Sequence, residues 1–375
     1  MIFPLERYLK DLEYIVNIDS GSADIDGNAK VASFFEERFK ELGLETEHHR
    51  VGKLLRPVVI ATTPHKGSSI PGKDYEFYLS GHMDTVFPKG TVAERPFKRE
   101  GNRVFGPGCV DMKSGTLLIL YLAEYLVKNM PEVSFMVLLN SDEELGSPDS
   151  TPIMRQEAAK CCRVFVFEGQ RKQGQFVIER KGIAKFDIEV EGIASHAGAA
   201  PQEGVSAILE LSKIVVDFSK LQKLDKGTSI NVGLMEGGTA LNVIPPHAKA
   251  RMEVRYTSVG EFNRVLRAIA KMHENPHASG AKVKFTQISH YSPLVITRAT
   301  KQMMDDLKPL NLQYVKAGGI SDANRLACLG LATIDGCGPG GGFPHSEREF
   351  LDLDTVPARF DQLIEIIKKL PASPN

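Results

Sequence analysis

Five short segments of this chain carry side chains suited to metal-assisted chemistry. Ser80-Gly81-His82-Met83-Asp84 ends the run Tyr75 to Leu79, which reads as a buried strand, so His82 falls where open α/β sheets present ligand-handling groups. Asp84, two residues on, points the same way in extended chain and can accept a hydrogen bond from the second imidazole nitrogen. Asp111 follows Gly106-Pro107-Gly108, Glu143 and Glu144 follow the apolar run Val133 to Leu139, Glu168 follows Arg163 to Phe167, and His345 lies beyond the glycine run at 338–342. Two imidazoles and three carboxylates suit zinc or a similar divalent ion and are too many for one tetrahedral site. Two ions sharing one carboxylate would use them all and leave room for a water. Of the adjacent acids, Glu144 can bind metal while Glu143 stays free to take a proton from that water.

Taken singly, each residue has an ordinary reading. Asp111 suits a helix N-cap, Asp142-Glu143-Glu144 a solvated acidic turn, and Pro344-His345-Ser346 any mobile loop. Glu168 stands out, because a lone carboxylate at a buried sheet edge needs a partner. The joint pattern is what points to a metal centre.

The elements that must position these residues alternate. Helical spacing marks Leu5 to Val16 and Val31 to Leu42, the latter closed by Gly43; Thr116 to Val127 is apolar on nearly every face, as a helix inside an α/β layer is. Strands alternating with helices argue for a mostly parallel sheet covered on both sides. From Lys181 the texture changes. Lys185 to Glu191 alternates with period two, and helices near 206–221 and 259–272 separate strands near 229–234, 248–256 and 282–288, the split βαβ order. Residues 181–291 are therefore expected to form an inserted α+β domain between catalytic segments 1–180 and 292–375. Strands near 313–315 and 332–334 and a terminal helix at 356–370 complete the second segment. Gly182 and Gly280 read as hinges of the insert.

Size and composition agree. With 375 residues two domains are the default, and 42% apolar with 25% charged residues is ordinary for a globular chain. A formal charge of -1 with scattered basic residues makes nucleic acid and anionic membranes unexpected partners. Met1 to Arg7 lacks the apolar core of a signal peptide, so the cytoplasm is expected, or the periplasm or exterior if a signal was removed. Five cysteines without a Cys-x-x-Cys argue against a disulfide scaffold or thiolate zinc site.

The blocks Gly81-His82-Met83-Asp84-Thr85-Val86, Gly106-Pro107-Gly108-Cys109-Val110-Asp111-Met112-Lys113-Ser114-Gly115, Asp142-Glu143-Glu144-Leu145-Gly146-Ser147, Ser195-His196-Ala197-Gly198 and Pro344-His345-Ser346-Glu347 resemble the signatures of the M20 metallopeptidase family. The glutamate carboxypeptidase G2 branch is most similar, through Ser195-His196-Ala197-Gly198-Ala199-Ala200-Pro201. The resemblance implies two zinc ions per chain, with Co2+ or Mn2+ as substitutes: one held by His82 and Glu168, the other by Glu144 and His345, with Asp111 bridging. It implies a cis bond after Asp111, Asp84 orienting His82, Glu143 as general base, and His196 stabilising the oxyanion in the partner subunit of a homodimer formed through the insert. It also implies that Asn242, Arg255 and Gly319 receive the free carboxylate of a small peptide or N-acyl amino acid. One departure is plain: around His290-Tyr291-Ser292-Pro293 the branch's second arginine is missing, with Lys316 and Arg298 as candidate replacements. A carboxypeptidase is the leading reading, and an N-acyl amino acid amidohydrolase or dipeptidase stays open beside it. A nucleotide-binding oxidoreductase fails because Asp111 replaces the third glycine of Gly-x-Gly-x-x-Gly. A metal-free binding protein on the same scaffold is disfavoured by the intact ligand set.

Overall fold

The computed structural model describes residues 3–64 and 68–370, which fall into two compact units. One takes in Met1–Glu179, Ile296–Ala317 and Ser321–Asn375; the other takes in Arg180–Val295 and Gly318–Ile320.

The first unit is a mixed α/β layer fold. Its six-stranded sheet runs Glu45–Val51, Arg56–Thr62, Phe135–Asn140, Tyr75–His82, Cys161–Val166, Ala332–Ile334. From Phe135–Asn140 onward all neighbours are parallel, and the first two strands add an antiparallel edge. Tyr75–His82 and Phe135–Asn140 are buried along their whole length, as parallel strands covered on both faces are. Their C-terminal ends deliver His82 and the Glu143–Glu144 turn to the same rim.

The helix Ser114–Asn129 is buried continuously from Ser114 to Ala123. Each Leu or Ile so enclosed contributes about 1.5–3 kcal/mol of burial. The helix can sit that close because residue 115 is glycine: a Cβ there would stand 2.1 Å from the carbonyl oxygen of Phe167, the residue before Glu168. Tyr8, from the buried face of helix Leu5–Val16, donates its hydroxyl to the Ser114 carbonyl at 2.7 Å and ties the first helix to this one.

The second unit has strands Gly182–Glu191, Ser229–Gly237, His247–Tyr256 and Lys282–Tyr291, with helices Ala207–Leu221 and Val259–Glu274. Sheet order places His247–Tyr256 and Gly182–Glu191 in the middle, with every neighbouring pair antiparallel. Ala184, Phe186, Ile188 and Val190 join the core with Leu211, Ile214, Phe218, Phe262, Val265 and Ile269 of the two helices, while Lys185 and Glu189 face out. Ser206 and Ser258 start the helices by accepting from Leu209 and Glu261 main-chain N–H groups.

The structure adds detail that the sequence does not carry. The edge hairpin Glu45–Thr62 has no clear sequence signal, because its outer strand is half-polar and Arg56-Pro57 opens the inner one. Tyr314–Ala317 is a strand, but it pairs with Phe176–Arg180 in a two-stranded ribbon instead of joining the large sheet. Gly182 opens a strand opposite Tyr256, whose ring lies 2.6 Å from where a Cβ would be. Asp111 is not a helix N-cap, since the helix starts three residues later. Among the described residues no helix is long and apolar enough to cross a membrane.

Candidate metal centre

The first unit brings His82, Asp111, Glu143, Glu144, Glu168 and His345 together. His82, only 1% exposed, aims Nε2 at Asp111 Oδ1 (3.3 Å), Glu168 Oε1 (3.8 Å) and Glu143 Oε2 (3.9 Å). His345 Nε2 lies 3.0 Å from Asp111 Oδ2 and 3.2 Å from Glu144 Oε2. Asp111 thus offers one oxygen to each imidazole. Ligand atoms of His82, Asp111 and Glu144 fall within 4.8 Å of one another, as do those of His82, Glu143 and Glu168. By distance alone Glu143 and Glu168 stand alike toward His82.

The loops that carry these groups are held by buried carboxylates. Glu143–Leu145 is a single 3-10 turn, and the Glu143 and Glu144 N–H groups donate to Asp84 Oδ1 (3.1 Å) and Oδ2 (3.2 Å). Ser22 Oγ donates to Asp84 Oδ2 at 2.7 Å. Below the turn, Asp142 accepts from Asp149 N, Ser150 N and Ser150 Oγ. Asp322 accepts from Asn140 Nδ2 at 2.9 Å and from the Ser147 hydroxyl. The Asp111 loop turns at Gly108 (φ 72°), and its Asp111–Met112 peptide bond is cis. Gly108, Val110 and Asp111 donate their main-chain N–H groups to the buried carboxylate of Glu349.

Asp84 is expected to orient His82 through its side chain. The nearer partner of Nδ1 is the Asp84 main-chain carbonyl at 3.0 Å, with the carboxylate oxygen at 3.4 Å. The carboxylate is occupied by the acidic turn and Ser22. A strand end supplies both functions from one residue, which two-residue spacing could not reveal. Ser22, Asp322 and Glu349 also belong to the surroundings of the site, and nothing in their local sequence signals that they are buried.

Electrostatics follow from crowding. Burial, reinforced by Glu168, Asp322 and Glu144, pushes the Glu143 carboxyl well up against the opposing pull of His82. Burial likewise raises Glu144 and takes Asp322 to about 7. Asp111 is held low: burial pushes upward, but contacts from His345 and His82 prevail. Contacts with Asp111 and Glu144 lift His345 to about 10. His82 is also raised, because Asp111 and Asp84 outweigh the downward effect of its burial.

This donor set fits a divalent cation. His82 Nε2 and Glu144 Oε1 are buried and make no hydrogen bond despite their close neighbours. Acidic groups outnumber imidazoles in a buried site, and buried charge of this kind is compensated by a metal. Nitrogen and carboxylate oxygen donors suit zinc, cobalt or manganese.

Of the remaining candidates, His196, Asn242, Arg255 and Gly319 lie in the second unit, Lys316 and Arg298 in the first. His196 Nδ1 accepts from Gly198 N (3.2 Å) and Ala199 N (3.1 Å), which puts a ring proton on Nε2. His196 bridges Val243, and Ala197 N donates to Asn242 O at 2.9 Å, so His196 and Asn242 share one short ladder. Arg255 Nη1 donates to Gly318 O at 2.9 Å and its Nε to Glu253 Oε1 at 2.6 Å; Arg180 Nη1 donates to Gly319 O at 3.0 Å. Lys316, a candidate replacement for the missing arginine, is paired with Glu179 at 2.7 Å. Arg298, the other, is exposed at a helix start.

Comparison with known proteins gives this geometry a family. Residues 178–281 match the peptidase dimerisation domain of M20 enzymes, and residues 59–191 match peptidase family M28. Carboxypeptidase G2 of Pseudomonas sp. (strain RS-16) is 30% identical over 384 residues, spanning 97% of this chain and 89% of that protein. A tripeptidase from Staphylococcus aureus subsp. aureus Mu50 has a TM-score of 0.80 at 22% identity, covering 98% of each chain. The aminopeptidase PepT from Bacillus cereus ATCC 10987 has a TM-score of 0.79 at 20% identity, covering 98% of this chain and 99% of that one. Fold and site define a metal-dependent hydrolase. The chain belongs to the M20 family of metallopeptidases.

Proposed function

We propose that this protein is a dizinc carboxypeptidase, cleaving an amide bond next to a free carboxylate. The observation that carries this is Asp111, with one carboxylate oxygen facing each of two imidazoles. In this reading His82 and Glu168 would hold one ion and Glu144 and His345 the other, with Asp111 shared between them. When bound, the metals supply the positive charge that polarises the amide carbonyl and acidifies water.

The chain's own groups do the rest. Glu143 takes a proton from the attacking water at a carboxylate oxygen and returns it to the leaving nitrogen. A carboxyl pushed up by burial suits a group that must both accept and release a proton. Asp84 holds the turn that aims Glu143. His196 donates Nε2–H to the developing oxyanion in the site of a partner copy, which makes the working enzyme a homodimer through the second unit. Arg255, Asn242 and the Gly318-Gly319 main chain receive the substrate's carboxylate.

Glutamate is one residue such an enzyme would release, as the resemblance of the sequence blocks to the glutamate carboxypeptidase G2 branch implies. No arginine stands in the stretch His290 to Pro293 to act beside Arg255, and Lys316 is engaged by Glu179, which favours a wider side-chain range. N-acyl amino acids and dipeptides are therefore the second reading.

The test is metal analysis with a substrate screen of N-acyl amino acids, dipeptides and acyl-glutamates. Two zinc ions per chain and hydrolysis confined to substrates with a free carboxylate are expected. Equal hydrolysis of carboxyl-blocked substrates would overturn the assignment.

A further inference from the structure

We propose that Glu349 is a positioning residue that sets the Asp111 loop and the His345 loop in a common register for metal binding, an inference that rests on the metal reading above. Its carboxylate is 1% exposed and uses both oxygens on one loop: Oε1 accepts from Val110 N (2.9 Å) and Asp111 N (3.0 Å), Oε2 from Gly108 N (3.1 Å). In sequence it stands four residues after His345. One side chain therefore joins segments 238 to 241 residues apart at the two groups whose side chains meet at 3.0 Å.

Strand pairing explains why such a lock is needed. Gly341–Gly342 pairs with Phe350–Asp352, which pairs with Arg103–Phe105. This small sheet fixes the roots of both loops, while their tips, where Asp111 and His345 sit, lie beyond its last hydrogen bonds. Glu349 is the first residue before the Phe350 strand and reaches from that root to the other loop's tip. The three N–H groups come from the single stretch 108–111, which bends at Gly108, where a Cβ would stand 2.5 Å from Thr85 Cγ2. Glutamine cannot substitute, because its amide nitrogen would face at least one main-chain N–H with no acceptor between them.

The experiment titrates zinc into metal-free wild-type protein and the variants Glu349→Gln, Glu349→Asp and Glu349→Ala against a competing chelator, well below their unfolding temperatures. Glu347→Gln, on the exposed neighbour, is the control. The Co2+ absorption spectrum and the separate kcat and KM values are read in parallel. Loss of an outer-shell partner typically weakens metal binding about 10–100-fold. We expect a loss in that range for Glu349→Gln, a changed cobalt spectrum, a fall in kcat larger than any rise in KM, and partial recovery in Glu349→Asp, which also serves if the other two do not fold. Wild-type zinc affinity and cobalt spectrum in a folded Glu349→Gln or Glu349→Asp protein, whatever its melting temperature, would overturn the proposal. Zinc uptake absent from the wild type would overturn the metal reading and this inference together, so the two failures are distinguishable.

Discussion

Replacing Asp84 with asparagine should damage catalysis more than metal uptake. Asp84 is fully buried and its carboxylate serves three donors, Ser22 Oγ, Glu143 N and Glu144 N. An asparagine amide can accept at only one of the two oxygen positions. With Nδ2 at the Oδ1 position the Glu143 N–H loses its acceptor; at the Oδ2 position the Glu144 N–H does, while Ser22 can rotate to accept. One buried donor is orphaned in either case, at about 1–3 kcal/mol, and the surviving bonds lose their charge assistance, about 1 kcal/mol each. Relief of repulsion with Asp142, which Asp84 helps to raise, offsets part of this. The net expectation is roughly 2–4 kcal/mol, measured by urea unfolding of the metal-free protein. Because the freed turn carries Glu143, kcat/KM should fall about 100-fold, the usual consequence of misplacing a reacting group by about 1 Å. His82 keeps its Nδ1 partner, the Asp84 main-chain carbonyl, so zinc content should fall much less. A variant with wild-type unfolding midpoint and turnover would refute the reasoning. Loss of zinc in step with activity would return the carboxylate to the role of imidazole orienter.

Three further outcomes are expected. Glu143→Gln should retain its metal, as measured by elemental analysis, while kcat drops about 100- to 10,000-fold, the range for losing a general base; a loss of metal equal to the loss of rate would make Glu143 a ligand. In the metal-free protein, Asp111 and Glu144 raise His345 from its ordinary 6.5 to about 10. Stabilisation from those pairs is complete below pH 6.5 and disappears as pH rises through about 10, whereas a cation must expel the proton, so zinc affinity should climb over the same interval. Calorimetry in buffers of different ionisation enthalpy should detect proton release, and a pH-independent affinity would contradict it. Gly115→Ala would drive a Cβ to within 2.1 Å of the Phe167 carbonyl oxygen and should cost up to about 3 kcal/mol, the upper part of the range for overpacking. An unchanged urea midpoint would show that the helix can withdraw without cost.

The amino-acid order by itself determined a good deal here. Side-chain period marks the helices Ala207–Leu221 and Val259–Glu274 and the alternating strand Gly182–Glu191, because one face of each must be apolar. The candidate ligands were legible for a related reason. Apolar strands ending in His82, Glu143-Glu144 and Glu168 are short local patterns, and parallel strands bring their ends to one rim.

Only the tertiary structure decided how those ends are held. The hairpin Glu45–Thr62 and the ribbon partner of Tyr314–Ala317 depend on edges offered by distant strands. Glu349, Asp322 and Ser22 look like ordinary loop polar residues in the sequence, yet packing removes them from water and leaves only distant groups as partners. Asp84 is the clearest case: two-residue spacing suggested its neighbour on the strand, but its carboxylate is claimed by N–H groups 59 and 60 residues away. A buried charge takes whichever donors the fold brings within about 3 Å, and that choice is made by packing, not by nearness along the chain.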